Sequence, residues 1–167
     1  MIRAAIAASL ALALAACATT PDSAAPARPD ARSYAVTTNA MGDVDAALAR
    51  AAGNGKRVLV VLGANWCHDS TALAGWLETP RFAALAAERY ELVFVNVGMP
   101  QTGDGHNLAV PQRFGLAEIK GTPALLVLTT EGKAVNLDTA AGWRNAASRS
   151  EEAILTELTA LADRPAP

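Results

Sequence analysis

Two apolar runs constrain the fold of this chain more than any other feature. Arg57 to Leu62 reads RVLVVL, and Glu91 to Val97 reads ELVFVNV. A run without polar alternation predicts a strand buried on both faces, as in parallel sheets covered by helices. Residues 67–77 and 79–89, between the two runs, favour helices. The sequence therefore predicts parallel strands joined by right-handed helical crossovers.

Cap and turn signals complete a predicted α/β domain around these strands. Thr79 is the expected N-cap of the helix at 79–89, and Asp43 and Ser150 are the expected N-caps of two further helices. Residues 124–128 and 134–137 favour two strands of an antiparallel hairpin. The predicted fold class is α/β, with a mixed central sheet (parallel strands plus an antiparallel hairpin edge) and helices on both faces.

The first sixteen residues have the composition of a signal peptide. Arg3 gives a positive start, and residues 4–16 are apolar apart from one serine. That run is shorter than the roughly 20 residues that span a bilayer. With Cys17 directly after it, the segment resembles the lipoprotein box of bacterial lipoproteins, which implies that Cys17 carries lipid. An ordinary secretory signal is the alternative. The resemblance further implies, from Ala18 after the cysteine, the outer membrane rather than the inner one.

The chain divides into four predicted parts. Residues 18–39 are rich in Ala, Pro, Thr, Ser and Asp and show no helical or strand period, which is typical of a flexible tether. The expected parts are a signal peptide at 1–16, the lipidated Cys and tether at 17–40, the domain at 41–163 and a tail at 164–167. We expect a lipid-anchored protein of the cell envelope, on the outer membrane and facing the periplasm.

Charge and cysteine content exclude several classes of function. The 167 residues have a net charge of -2, so nucleic acid is not an expected partner, because phosphate binding needs a basic face. Only 2 cysteines are present. This number excludes a disulfide-dense scaffold and a four-cysteine zinc site.

The candidate chemistry follows the first predicted strand. Ligands of parallel α/β sheets gather beyond the carboxyl ends of strands, and Cys67 lies there at a predicted helix start. A helix N-terminus stabilises a thiolate. Asp69 opposes this effect, and His68 supports it only when protonated, so the net direction stays open. Ser70, one turn on, could donate its hydroxyl to the sulfur.

The order of motifs resembles the thioredoxin superfamily. Trp66-Cys67-His68-Asp69-Ser70 resembles its Trp-Cys-x-x-Cys site, and Lys120-Gly121-Thr122-Pro123 resembles its cis-proline landmark. The resemblance extends over 43–161. It implies that Cys67 is the nucleophile, that Trp66 shields it, and that Pro123 is cis. It further implies that the Thr122 backbone pairs with an extended substrate segment.

One departure from this pattern decides the expected mechanism. Ser70 stands where the family has its second, resolving cysteine, and serine cannot attack a mixed disulfide. With Cys17 lipidated, Cys67 is the only thiol, which excludes an intramolecular disulfide. The expected function is monothiol thiol–disulfide exchange, as in deglutathionylation. The resolving partner would be a low-molecular-weight thiol or an envelope protein with cysteines. No cofactor and no metal are predicted, and a monomeric domain is expected.

Other readings remain open from the sequence. Cys67 could be an inert buried residue, or the domain could bind peptides without turnover. A metal carrier using Cys67 and His68, with His106, is the third alternative. His106 itself is expected to be a surface residue of a glycine-rich loop. Arg144 could bind a carboxylate or cap backbone carbonyls.

Overall fold

The structure is a computed structural model, and it describes residues 29–167. The elements run α1 Ala40–Asn54, β1 Arg57–Gly63, α2 His68–Leu77, α3 Pro80–Arg89, β2 Tyr90–Asn96, β3 Gly98–Met99, β4 Asp104–Gly105, α4 Ala109–Arg113, β5 Ala124–Leu128 and α5 Glu151–Asp163. Two single 3₁₀ turns, Pro100–Thr102 and Ala146–Ser148, lie in the loops. No helix within residues 29–167 is long and apolar enough to cross a bilayer.

Strand β1 lies at the centre of a three-stranded sheet with the order β2-β1-β5. It runs parallel to β2, with Gly63 opposite Asn96, and antiparallel to β5, with Leu62 opposite Ala124. The predicted mixed sheet is confirmed. This register brings three connections to one edge of the sheet: those that follow β1 and β2, and the one that precedes β5.

Helices cover both faces of the sheet, which explains the apolar runs. Leu59 and Val61 point into a core shared with α2, α3 and α5. Val58, Val60 and Leu62 point into a second core shared with α1. All five side chains are fully buried. A strand with two covered faces needs no polar alternation, so the sequence signal was reliable here.

Two of the three predicted N-caps are correct. Thr79 and Ser150 each accept a hydrogen bond from the backbone N–H three residues on. The third prediction is wrong, because α1 begins at Ala40 with Asn39 at the N-cap position. The helix extends to bury Ala40, and this leaves Asp43 inside the first turn, where its charge still favours the helix dipole.

The predicted hairpin forms its turn but not its second strand. Only an isolated bridge joins Leu128 to Ala134. Instead, the buried Asn136 side chain accepts a hydrogen bond from the Val127 N–H at 2.8 Å and donates one to the Leu125 carbonyl at 2.9 Å. The side-chain amide of Asn136 thus pairs backbone groups on the side of β5 where a strand was expected, and β1 pairs with the opposite side of β5.

The segment predicted as the end of the tether packs on the domain. Tyr34 is fully buried. Its backbone N–H donates to Asn65 Oδ1 at 3.2 Å, and its carbonyl accepts from Asn65 Nδ2 at 2.9 Å. The folded part therefore begins before Met41, the predicted boundary. The predicted signal peptide, Cys17 and the first part of the tether lie outside the described residues.

Candidate active site

Cys67 lies at the sheet edge where the three connections meet. It occupies the N-cap position of α2 and is 9% exposed. Its thiol donates a hydrogen bond to the Thr122 carbonyl oxygen, with 3.3 Å between Sγ and O. The Thr122–Pro123 peptide bond is cis. The two predicted landmarks, 55 residues apart, therefore form one site.

Asp69, in the first turn of α2, binds another loop of the domain. The Asp69 carboxylate accepts a hydrogen bond from the Ala147 N–H at 2.8 Å. Because Asp69 is bound to the 3₁₀ turn, its role here is to fix that turn against α2. His68 is exposed, and its carbonyl accepts from the Thr71 hydroxyl at 3.1 Å. The two predicted modulators thus both follow Cys67, in the first turn of the helix.

Ser70 differs from its expected role as a hydrogen-bond partner of Cys67. It is fully buried, and its Oγ has no partner among residues 29–167, so the hydroxyl does not bond the sulfur. Its carbonyl accepts from the Tyr34 hydroxyl at 3.2 Å. Burial raises the pKa of Tyr34 far above that of a free phenol, so this hydroxyl stays protonated.

Gly63 packs so closely against Tyr34 and Ser70 that a larger side chain would not fit at this position. A Cβ on Gly63 would lie 2.6 Å from the Tyr34 ring and 2.8 Å from Ser70 Oγ. Tyr34 also makes an edge-on contact with Phe94, with 5.3 Å between ring centroids. Sequence reasoning missed Tyr34 as part of this site. The single aromatic residue in an Ala/Pro-rich segment was the signal that could have found it.

Trp66 extends from the site towards solvent. It is 52% exposed, and its indole Nε1 donates to the Gly98 carbonyl at 3.1 Å. Asn96 Oδ1 accepts from the Gly98 N–H at 3.0 Å and lies 3.0 Å from His106 Nε2. The Asn96 oxygen can only accept, so His106 Nε2 is the donor. His106 is exposed as predicted, but it also supports the loop that holds Trp66.

The three predicted metal ligands do not converge. The Cys67 thiol faces Thr122, whereas His106 faces Asn96. Within residues 29–167 no group of three His, Cys, Asp or Glu side chains could hold a metal ion. The metal-carrier alternative therefore has no ligand set in the described part of the chain.

The fold and the Cys67–cis-Pro123 site define a thioredoxin-like protein. A model of the thioredoxin-like family matches residues 39–130, which is more than half of the chain, and the chain belongs to this family. A similar solved structure is a disulphide isomerase from Xylella fastidiosa Temecula1, with 31% sequence identity and a TM-score of 0.66. The match covers 75% of this chain and 95% of that one. No curated protein matches this sequence.

Proposed function

We propose that this protein is a thiol–disulfide oxidoreductase of monothiol type, with Cys67 as its nucleophile. The observation that carries the proposal is the position of the Cys67 sulfur. It lies at the N-terminus of α2 and 3.3 Å from the Thr122 carbonyl, beside the cis Pro123. The similarity to a disulphide isomerase supports the same class of chemistry.

The first step is attack of the Cys67 thiolate on one sulfur of a substrate disulfide. A new bond joins Cys67 to that sulfur, and the second sulfur leaves as a thiolate, so no net electrons are consumed. The helix dipole and the backbone N–H groups at the α2 N-terminus stabilise the attacking anion. Loss of the thiol proton also frees the Thr122 carbonyl, which can then accept an N–H from an extended substrate segment.

The second step needs a thiol from outside the domain. Cys67 is the only free cysteine within residues 29–167. Ser70, at the position of a resolving thiol, is fully buried and has no chemistry for disulfide attack. An external thiolate therefore attacks the mixed disulfide and releases Cys67. The resolving partner would be a low-molecular-weight thiol or a cysteine of an envelope protein.

The envelope location is part of the same proposal and rests on residues 1–17. A lipid-anchored domain facing the periplasm would meet secreted proteins with cysteines. Growth with radiolabelled palmitate tests this location. Label in the wild-type chain and not in Cys17→Ser supports it, and an unlabelled wild-type chain overturns it.

Peptide binding without turnover is the second candidate. A cleft of about 440 Å³ lies beside the cis-proline loop, between the Pro100–Gln101 turn and residues 116–120. Such a cleft could hold a peptide side chain whether or not Cys67 reacts. Binding of a cysteine-free peptide with unchanged affinity in Cys67→Ser would favour this candidate.

Trapping of a mixed disulfide tests the proposed function. The parent carries Cys17→Ser, so that every adduct reports on Cys67. Incubation with a glutathionylated peptide should give a Cys67 adduct by mass spectrometry, and added glutathione should release it. Cys67→Ser is the matched control and should give no adduct. A parent that forms no adduct over a wide range of pH would overturn the proposal.

A further inference from the structure

Two arginines near the site have no partner within residues 29–167, whereas every other arginine of that range has one. Of the nine arginines within residues 29–167, seven bond a carboxylate or a backbone carbonyl: Arg50, Arg57, Arg81, Arg89, Arg113, Arg149 and Arg164. Arg32 and Arg144 have no hydrogen-bond, ion-pair or aromatic partner in that part of the chain, and both are exposed. Both lie beside the active site.

Arg144 lies against the backbone that precedes the cis-proline. A Cβ on Gly121 would be 2.8 Å from Arg144 Cδ and 3.5 Å from Nη1. Gly121 directly precedes Thr122, whose carbonyl accepts the Cys67 thiol. The loop that carries Arg144 is fixed, because Trp143 is fully buried and the 3₁₀ turn after it is bound by Asp69. This loop thus places the Arg144 side chain beside the Gly121 backbone, next to the expected path of the substrate.

Arg32 lies on the Trp66 side of the site. The Ala31 N–H donates to the Thr71 carbonyl at 3.0 Å, which ties the segment to α2. A cleft of about 470 Å³ opens there, lined by Asp30, Arg32, Asn65, Trp66, His68 and Thr71. Asp30 shares the cleft and offsets part of the Arg32 charge, so the effect of Arg144 should be the larger.

We infer that this site selects disulfides that carry carboxylates close to their sulfur atoms, with Arg144 binding one carboxylate and Arg32 a second. The inference rests on the proposed function and deepens it. Arginine suits the role because its planar fork binds carboxylates with two parallel hydrogen bonds. Glutathione, with carboxylates at both ends, and an acidic protein segment both offer this chemistry.

The exchange balances for such a substrate. The Cys67 thiolate takes the glutathione sulfur from a mixed disulfide and releases the other sulfur as a thiolate. A second glutathione thiolate then attacks the Cys67 adduct and leaves as oxidised glutathione. One S–S bond breaks and one forms at each step, and the electrons for the released thiol come from the glutathione pair.

Three small disulfides of different charge test the inference. Dithiodipropionate is a dianion, hydroxyethyl disulfide is neutral and cystamine is a dication. We expect the parent to form its Cys67 adduct faster with the dianion than with the dication. The difference between the two rates should shrink at high salt, because salt screens the charges. In Arg144→Gln the ratio of the dianion rate to the neutral rate should fall about 1.5- to fivefold, the range for an exposed ion pair. Arg144→Lys should retain part of the preference.

The control variant is Lys133→Gln, which removes the same charge at a distance. Lys133 follows β5, and Leu128 pairs with Val58, so this turn lies at the end of the sheet opposite to Cys67. The dianion-to-neutral ratio should not change in this variant. An equal fall in Lys133→Gln and Arg144→Gln would overturn the inference, because it would show an effect of net charge only.

Further substrates separate the two sources of carboxylate. A preference for oxidised glutathione over its methyl ester, lost in Arg144→Gln, assigns the site to a small thiol. A preference for Asp-flanked over Asn-flanked cysteine peptides, lost in the same variant, assigns it to an acidic protein segment. A parent that reacts at the same rate with the dianionic, neutral and dicationic disulfides overturns this inference alone. A parent that reacts with none of them overturns the proposed function as well.

Discussion

Replacing Tyr34 by alanine tests whether the segment before α1 belongs to the fold. The ring is fully buried among residues of the core on the α2 side. Truncation of a buried aromatic residue costs about 3–5 kcal/mol, and the lost hydrogen bond to the Ser70 carbonyl adds about 1 kcal/mol. For a domain of this size that corresponds to a fall in Tm of roughly 12–20 °C.

The assay is urea unfolding of three variants beside the wild type. Tyr34→Phe keeps the ring and should lose only about 1 kcal/mol of the free energy of unfolding. Val36→Ala is the matched control two residues away, because Val36 is 82% exposed and its truncation should cost within ~0.5 kcal/mol. If Tyr34→Ala were as stable as Val36→Ala, the segment would not pack as described. A chain that begins at Met41 should then also fold normally.

Three further perturbations probe the site, the sheet edge and a surface ion pair. Ser70→Cys places a second thiol one turn from Cys67; we expect an intramolecular disulfide, seen as alkylation-resistant thiols, and release of mixed disulfides without added thiol. Asn136→Ala leaves buried backbone groups of β5 unpaired and should cost roughly 2–5 kcal/mol in urea unfolding. Hydrogen bonds from Arg50 and Asn54 hold the pKa of Glu91 below its usual value. The ionised Glu91 therefore contributes under about 1 kcal/mol to the free energy of unfolding at neutral pH, and this contribution is lost as pH falls through the lowered pKa. Glu91→Gln should remove this part of the acid dependence, and an unchanged pH profile of stability would contradict the assignment.

The elements that the sequence predicted are those whose signals are local. β1 and β2 are apolar along their length because both faces are covered, and Thr79 and Ser150 act as caps within one turn of chain. The contact between Cys67 and Thr122 could also be predicted from the sequence, because the two motifs and their order indicate the end of the sheet where they meet. Here local chemistry and the global fold agree.

Two of the errors arise where a side-chain amide makes hydrogen bonds to distant backbone groups. Asn136 satisfies the edge of β5 with its amide, so residues 134–137 need no strand geometry despite their apolar pattern. Tyr34 is anchored by Asn65, thirty-one residues away, and an Ala/Pro-rich composition gives no sign of that contact. The partners of such polar groups are set by tertiary structure, which a single sequence does not display.

The site-shaping residues that the structure adds lie largely outside the family match. The family model covers residues 39–130, which include Cys67 and the cis Pro123. Tyr34, which packs beside Ser70, and Arg32 precede that range, and Arg144 follows it. On the proposed mechanism the matched part supplies the thiol and its groove, so we expect the two flanking segments to set the choice of substrate without altering the chemistry. Substitutions at Arg32 or Arg144 should therefore shift relative rates between substrates, whereas loss of Cys67 should abolish exchange with all of them.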